Sequence, residues 1–502
     1  MSRCFPWFKL FVSLVLCFCL TLLVIRTWHW PVISDASVMH YVILLVHRGM
    51  APYRDIMDIN MPGTYLVEDA VIHIFGEGPL GWRLFDFVLL LFAGLAMVWI
   101  ARPFGKFVGF FAGALFALIH WSDGVAQLGQ RDLIISLFLA LAYASLFCAV
   151  RRGSSFLMGL FGVCIGCATT IKPQALLLGV LLLGMASQAL RKRSQPVARH
   201  LLGGFAGLII PFAAVLIFLA KKQAFHSFFT TMQGLDIYHA GIARHSVGFL
   251  LTHAIPPLLL PLTLLASWIA IETNYWRTWE GAAILLGIGF GFGSFCLQGK
   301  AYPYHRYPLL VFLLLFIAIQ FGIALRAGQP RHSLAYAGFI YGALLIAPIA
   351  TAKGLRYNWR DESSLNQLQS ELNQLGGKQL SGKIQCMDTI SGCITVLDRM
   401  SLTQSTGFLY DCYFFAPNNS PIKQELREEF WKKIQESPPK VFVVSDSWCF
   451  NLPSGYQKLT QWHEFDNFLA ESYIVSVQHD VEPGSYKHLA TYPFGYRIYV
   501  RK

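Results

Sequence analysis

The sequence predicts an all-α membrane protein with about eleven membrane-spanning helices and a small soluble α/β domain at its C-terminal end. Only 14% of the 502 residues are charged and 55% are hydrophobic, whereas soluble domains carry roughly 25% charged residues. The apolar residues form long runs, and about 20 helical residues cross the hydrocarbon core of a bilayer. Because lipid offers backbone groups no hydrogen-bond partners, helices are the expected form of these runs.

Eleven apolar runs are candidate spans. They lie at residues 10–25, 86–101, 107–121, 132–150, 156–170, 174–190, 201–220, 248–270, 281–297, 306–325 and 333–351. No small-residue cleavage site follows the first run, so we expect it to be retained rather than removed as a signal peptide. Residues 1–351 are thus predicted to form a membrane domain with a long first loop at residues 26–85.

Lys and Arg residues are concentrated in short connections between the spans, for example Arg151-Arg152 and Arg191-Lys192-Arg193. Basic connections of this kind lie on the cytoplasmic side of membranes. The alternate connections, which include the first loop, are therefore predicted to face outwards. An odd number of spans places the C-terminal domain outside as well, whereas one helix more or fewer would place it in the cytoplasm. The net charge of +12 thus comes from basic residues in connections between spans. They do not form the basic, aromatic surface that nucleic-acid-binding proteins use, so nucleic-acid binding is not predicted.

The composition changes to mixed polar sequence near Thr351, so residues 352–502 are predicted to form a separate soluble domain. A helix is expected over 423–435. Runs of β-branched and aromatic residues predict strands at 383–387, 440–444 and 496–500. If the domain faces an oxidising compartment, two disulfides are allowed, with three alternative pairings. The four cysteines are Cys386, Cys393, Cys412 and Cys449.

Two carboxylates and several cations are expected at the outward face. Asp35 begins a helical stretch in the first loop, and Asp132 begins the fourth span. Charges at a membrane boundary are costly and usually face a partner or a cavity. Each also has a simpler explanation, since Asp35 can cap a helix and Asp132 can form an exposed ion pair with Arg131. The cations, each of which could instead contact phospholipid, are Arg54, Arg83, Lys172, Lys300, His305 and Arg306. Together these groups suit an anionic head group delivered from the lipid phase.

The order of the outward motifs resembles that of the polyprenyl-phosphate-sugar-dependent glycosyltransferases. This is the GT-C superfamily, which includes protein mannosyltransferases and aminoarabinose lipid A transferases. The resemblance covers roughly residues 30–310. It is carried by Asp35, Gly49-x-x-Pro52-Tyr53-x-Asp55, Asp58-x-x-x-Pro62-x-Thr64-Tyr65-Leu66, Gly81-x-Arg83, Gly129-Gln130-Arg131-Asp132, Ile171-Lys172-Pro173-Gln174 and Gln298-Gly299-Lys300-Ala301-Tyr302-Pro303-Tyr304-His305-Arg306-Tyr307-Pro308.

The resemblance implies a GT-C-like membrane domain and transfer of a sugar, with inversion, from a polyprenyl-phosphate donor to a hydroxyl group. The acceptor would be a lipid, a glycan or a protein. Asp35 would be the catalytic general base on that hydroxyl. The cations would bind the donor phosphate and stabilise the charge that develops as it leaves. The substrate-binding residues implied in this way are Asp132, Arg131, Arg54, Asp58, Arg83, Lys172, Lys300, Tyr304, His305 and Arg306.

The resemblance also implies a bacterial inner-membrane enzyme, surrounded by membrane lipids, whose active site faces the periplasm. It predicts no metal-binding residues and leaves a divalent cation open as a cofactor. Many relatives have Lys-Pro-Pro where this chain has Asn60-Met61-Pro62, so a phosphate contact is missing and Arg54 is a candidate substitute. The alternative function is a transporter or flippase of a lipid-linked sugar. It would require charges at mid-membrane depth, which the interiors of the runs 86–101, 107–121 and 174–190 are expected to lack.

Overall fold

A computed structural model describes residues 4–327, 330–356, 362–416, 420–447, 455–481 and 493–502. Within these residues the chain forms a long helical body followed by a smaller domain that contains a four-stranded sheet. The predicted fold class, a polytopic helical membrane body with a small C-terminal α/β domain, is therefore confirmed.

The helical body contains seventeen α-helices in the described residues. They are α1 (Cys4–Thr27), α2 (Asp35–His47), α3 (Pro62–Phe75), α4 (Pro79–Ala101), α5 (Lys106–Ser122), α6 (Arg131–Arg152), α7 (Ser155–Ile171), α8 (Ala175–Lys192), α9 (Val197–Lys221), α10 (Phe225–Gln233), α11 (Leu235–Gly241), α12 (Val247–His253), α13 (Leu260–Thr273), α14 (Trp279–Gln298), α15 (Tyr307–Ala324), α16 (Arg331–Tyr341) and α17 (Ala347–Arg356). A π-helical turn at Gly342–Ile346 joins α16 to α17. Short 3₁₀ turns lie at Arg102–Phe104, Val125–Gln127, Pro257–Leu259, Tyr275–Arg277 and Pro303–Arg306.

Each of the eleven predicted spans coincides with a helix or a helix pair. In the described part of the chain, eight helical segments are long and apolar enough to cross a membrane, and the bent pair α12–α13 makes a ninth if it is one span. The other two predicted spans are α5 and α7, with 17 residues each. Such helices are about 25 Å long, shorter than the roughly 30 Å hydrocarbon core. The count of eleven therefore stays a prediction.

Helix α4 begins at Pro79, well before the predicted start at residue 86, because proline is favoured in the first turn of a helix. This start places Asp86 inside the helix, where its carboxylate lies 2.8 Å from the guanidinium of Arg83. Both side chains are fully buried, and His120 of α5 contacts the same carboxylate at 2.9 Å. This ion pair lies in the first third of α4, whereas residues 87–100 carry no charged side chain, so the expected absence of charge at mid-membrane depth stays a prediction.

The first loop is folded rather than extended. Its helix α2 is buried along most of its length, and α3 lies beside it. One hydrophobic cluster contains Val38 and Leu45 of α2 together with Ile394 and Val441 of the C-terminal domain. The first loop is therefore packed directly against the C-terminal domain, and the two share a core.

The C-terminal domain mixes helices with a sheet of order β1-β2-β4-β3, in which β1 and β2 are parallel and the other pairs are antiparallel. Its elements are α18 (Ser363–Gln374), β1 (Ile384–Met387), α19 (Cys393–Arg399), α20 (Cys412–Phe415), α21 (Pro421–Glu436), β2 (Val441–Ser445), α22 (His463–Ser472), β3 (Tyr473–His479) and β4 (Tyr496–Arg501), with 3₁₀ turns at Gly377–Leu380 and Tyr456–Gln461. The three predicted strands correspond to β1, β2 and β4. The boundary at residue 351 stays a prediction, since α17 continues to Arg356.

A disulfide joins Cys386 at the end of β1 to Cys393, the first residue of α19. Cys412 is also disulfide-bonded, and Cys449 lies outside the described residues. Structural disulfides are typical of proteins exposed to an oxidising compartment. The bond is thus consistent with the predicted outward position of this domain.

Candidate active site at one end of the helical bundle

The candidate site lies where several helices of the body begin or end at the same side. Helix α6 begins there with Arg131 and Asp132, whereas α7 and α14 end there next to Lys172 and at Gln298. The segment that precedes α15 contributes Tyr304. Alternate ends of antiparallel helices meet on one side of a bundle, so residues far apart in sequence come together.

Asp35 is the first residue of α2, and its carboxylate accepts two hydrogen bonds from the helical body. Arg131 Nη2 lies 2.9 Å from Asp35 Oδ2, and Tyr304 Oη donates to the same oxygen at 3.2 Å. Among the described residues none donates to Asp35 Oδ1, and the side chain is 22% exposed. One carboxylate oxygen is therefore open to an incoming hydroxyl group.

Asp132 lies next to this pair and is almost fully buried. The ammonium of Lys172 donates to both of its oxygens, at 2.8 and 2.7 Å, and the side-chain amide of Gln298 donates to Oδ1 at 3.3 Å. A buried carboxylate without such partners would be strongly destabilising. Asp132 therefore ties α6 to the ends of α7 and α14, and this fixes the position of Arg131.

Further basic groups surround the site. Lys300 Nζ lies 2.5 Å from His239 Nε2, and burial lowers the pKa of Lys300 to about 8 although nearby Asp35 favours the charged form. His305 is buried, and among the described residues its Nδ1 has no hydrogen-bond partner. It interacts electrostatically with Lys172, Arg131 and Lys300. A buried imidazole edge among three cations is suited to an anionic ligand.

The C-terminal domain is anchored to the first loop by polar contacts. The backbone N–H of Met57 donates to the carbonyl of Gly407 at 2.8 Å. The hydroxyl of Thr395 in α19 donates to that of Ser37 in α2 at 2.8 Å, and both residues are buried. Ser37 is two residues from Asp35, so the domain contacts the helix that carries the candidate base.

Two tyrosines of the C-terminal domain reach the site itself. Tyr410 lies close enough to Asp35 and Arg131 to interact electrostatically with both. The hydroxyl of Tyr413 is 3.1 Å from Nδ1 of His239, the residue that contacts Lys300 through its other nitrogen. The polar cluster is thus built from the helical body, the first loop and the C-terminal domain together.

Three of the predicted donor-binding arginines lie elsewhere. Arg83 is held in the buried ion pair of α4. Arg54 pairs with its neighbour Asp55 at 2.7 Å on the exposed side of the first loop. Arg306 lies 3.3 Å from the carboxylate of Asp123. Among the described residues, none of these three guanidinium groups contacts Asp35, and each lies instead against another carboxylate of the protein.

Asp58 is fully buried and organises the first loop. It accepts hydrogen bonds from Tyr65 at 2.9 Å and from the side chain of Asn60 at 2.9 Å. It also interacts electrostatically with Arg131. In the structure its side-chain hydrogen bonds are to the protein, and its role as a substrate-binding residue stays a prediction.

Strained backbone flanks both ends of the site. Ser34 and Ala301 have positive φ angles of 55° and 52°, although neither is glycine. Such conformations cost roughly 1–3 kcal/mol each and cluster at active sites. Ser34 directly precedes Asp35, and Ala301 directly follows Lys300. The strain therefore lies at the residues that orient the carboxylate and the ammonium.

A narrow cleft of about 20 Å³ lies beside Asp35 and Arg131. Thr64 and Trp82 are among the residues that line it. Gly129 next to it has a φ of 58°, and a Cβ atom there would lie 2.3 Å from the Trp82 ring. Only glycine fits this turn, which leads directly into Arg131.

Several residues of the site were missed by sequence reasoning. Gln298 belongs to a motif that resembles the family, so its place at the outward end of a span was a usable signal. His239, Tyr410 and Tyr413 belong to no such motif, and the segments that carry them are far from Asp35 in sequence. Nothing in a single sequence indicates these contacts.

Comparison with known proteins supports the superfamily. A family model described as dolichyl-phosphate-mannose-protein mannosyltransferase matches residues 61–218. No curated protein matches the chain significantly. The fold is similar to that of Cupriavidus metallidurans ArnT in the apo state, with a TM-score of 0.60 and 12% identity over 99% of this chain and 98% of that one.

Two further solved structures have the same fold. ArnT from Cupriavidus metallidurans bound to undecaprenyl phosphate matches with a TM-score of 0.55 and 11% identity, over 97% of this chain and 98% of that one. The Archaeoglobus fulgidus oligosaccharyltransferase tethered to an acceptor peptide containing an NVT sequon matches with a TM-score of 0.55 and 11% identity, over 98% of this chain and 74% of that one. The family model over residues 61–218 and the similar folds support the resemblance found in the sequence, and the chain is a multi-pass membrane protein with the fold of these structures.

Proposed function

We propose that this protein transfers a sugar, with inversion, from a polyprenyl-phosphate donor to a hydroxyl group of a lipid, a glycan or a protein. The observation that carries the proposal is the arrangement around Asp35. One of its oxygens is held by Arg131 and Tyr304 while the other is open, and the cations Lys172 and Lys300 belong to the same cluster.

The proposed donor follows from the charge and position of the cluster. A phosphate group would be attracted to Lys300, Lys172 and the open edge of His305. The isoprenoid chain would remain in the bilayer, because each buried methylene contributes about 0.8 kcal/mol. A site at one end of a membrane bundle meets both requirements. The similar ArnT fold binds undecaprenyl phosphate, which supports a donor of this class.

The proposed reaction is one displacement. Oδ1 of Asp35 accepts the proton of the acceptor hydroxyl as its oxygen attacks the anomeric carbon. The bond between that carbon and the phosphate oxygen breaks on the opposite face, so the configuration inverts. The leaving polyprenyl phosphate takes the electron pair, and Lys300 and Lys172 stabilise its negative charge. Arg131 and Tyr304 keep the carboxylate in position, and Asp35 then returns its proton to water.

The proposed location is the inner membrane of a bacterium, with the site facing the periplasm. The positions of the basic connections support this orientation. The disulfide between Cys386 and Cys393 also supports it, because the disulfide-bearing domain contacts the same first loop that carries Asp35.

The experiment uses purified protein in lipid nanodiscs with labelled undecaprenyl-phosphate sugars and extracted cell-envelope acceptors. Asp35→Asn should lower turnover by about 10²–10⁴-fold, the usual contribution of a general base, and should leave donor binding intact. Asp55→Asn is the matched control, because Asp55 is an ion-paired first-loop carboxylate outside the cluster. Full turnover in Asp35→Asn would exclude the mechanism. The protein is also reconstituted in sealed vesicles, where labelled donor that crosses the membrane without product formation would favour a flippase. Mass spectrometry of envelope glycans from a deletion strain would identify the sugar and the acceptor.

A further inference from the structure

We propose that His47, Asp69 and His73 form a binding site for a transition-metal cation such as Zn²⁺ on the surface of the first loop. One ligand atom from each residue lies within 4.8 Å of the other two. The site is distinct from the Asp35 cluster, and the proposal does not depend on the proposed sugar transfer.

The geometry comes from two helices that lie side by side. His47 is the last residue of α2, and Asp69 and His73 are one turn apart on α3. The i, i+4 spacing presents two ligands on the same helix face, as in known zinc motifs. Residue 47 is 22 positions from residue 69, so no local sequence motif indicated the cluster.

The distances require only a small expansion to accept an ion. His47 Nε2 lies 2.6 Å from Asp69 Oδ1, and His73 Nδ1 lies 3.2 Å from the same oxygen. Ligands at about 2.0–2.2 Å from a tetrahedral Zn²⁺ are separated by roughly 3.3–3.6 Å. On binding, His73 would exchange its 2.8 Å contact with the Asp69 carbonyl for the ion.

The ligand set selects the type of metal. Two imidazoles and one carboxylate suit Zn²⁺, Ni²⁺ or Cu²⁺, whereas Mg²⁺ and Ca²⁺ prefer oxygen ligands alone. The side chains of His47, Asp69 and His73 are 41%, 42% and 64% exposed. An ion can therefore enter from water, and water would complete its coordination.

The consequence of metal binding would be a link between α2 and α3. Both helices also line the cleft next to Asp35, through Met39 on α2 and Thr64 on α3. His47 lies twelve residues after Asp35 along α2, which is about 18 Å at 1.5 Å per residue. An ion there would not touch the reacting atoms, but it would hold the helix that positions the candidate base.

The test is a titration of untagged, full-length protein in nanodiscs with Co²⁺, whose visible absorption reports bound nitrogen and oxygen ligands, followed by competition with Zn²⁺. We expect saturation at one ion per chain. His47→Ala and His73→Ala should each weaken binding by more than about tenfold, because even removing an outer-shell partner of a ligand costs roughly 10–100-fold. His226→Ala, which removes an exposed histidine elsewhere, is the matched control and should bind like the unaltered protein.

Conservative variants separate metal loss from misfolding. His73→Gln and Asp69→Asn preserve side-chain size, and circular dichroism shows whether each variant is folded. A folded variant that binds Co²⁺ as tightly as the unaltered protein would overturn the proposal, and so would the absence of saturable binding in the unaltered protein. Because the titration involves no sugar transfer, its failure would leave the proposed function as it stands.

Discussion

Raising the pH from 7 to 9 should weaken donor binding through Lys300. Burial lowers the pKa of this ammonium to about 8. A group with that pKa is about 90% charged at pH 7 and about 10% charged at pH 9, since each pH unit changes the ratio of its two forms tenfold. If only the charged form attracts the donor phosphate, the apparent affinity falls with the charged fraction, by about tenfold.

The assay measures initial rates against donor concentration at several pH values in nanodiscs. The donor is a phosphodiester that keeps one negative charge throughout this range, so a rise in KM reports on the protein. Lys300→Arg is the matched control, because a guanidinium stays charged at every pH used. Its KM should stay flat between pH 7 and 9. Lys300→Met should have a high KM at all pH values, close to that of the unaltered protein at pH 9.

Two results would refute the argument for Lys300. A flat KM in the unaltered protein would mean that its ammonium does not contribute to donor binding in this range. An equal rise in Lys300→Arg would assign the pH dependence to another group.

Three further substitutions test the structural assignments. Arg83→Ala removes one charged partner of the buried Asp86 carboxylate, which keeps His120 and Trp121 as partners, so the free energy of unfolding should fall by about 1.5–3 kcal/mol in chemical denaturation. Unchanged stability with a raised donor KM would instead favour Arg83 as a donor-binding residue. Tyr304→Phe removes one hydrogen bond to Asp35, and since bonds to charged groups contribute about 1.5–3 kcal/mol, kcat should fall roughly 10–100-fold; an unaltered kcat would contradict this role. Cys393→Ser opens the disulfide to Cys386 and should destabilise the C-terminal domain by about 2–3 kcal/mol. Equal unfolding midpoints with and without a reductant would show that the bond contributes nothing.

The helical body was predictable because long apolar runs have few alternatives in lipid. The start of α4 was missed because Arg83 was assigned to the first loop, whereas its pairing with Asp86 lets both side chains be buried in one helix. Strand β3 was missed although its sequence contains the β-branched residues Ile474, Val475 and Val477, the same type of run that predicted the other three strands.

The candidate site was predictable where the order of motifs marked a carboxylate. Asp35 and Asp132 do lie in one cluster, and Lys172 does contact it. The arginines were less predictable, because their partners are distant in sequence. Arg306, for example, is 183 residues from Asp123. Whether an arginine is free to bind a substrate or is held in an internal ion pair depends on which carboxylate the fold places beside it. One sequence does not contain that information.

The contact between the C-terminal domain and the site was not predictable either, because a single sequence does not show which distant segments pack together. A change in composition correctly indicated a domain with its own sheet, yet this domain shares its core with α2 through Val38 and Leu45. Without the domain, the apolar face of α2 would be exposed to water, and the helix would lose the contact at Ser37 that lies two residues from Asp35. The position of the candidate base therefore depends on the soluble domain, even though the sequence motifs that resemble known transferases end near residue 310.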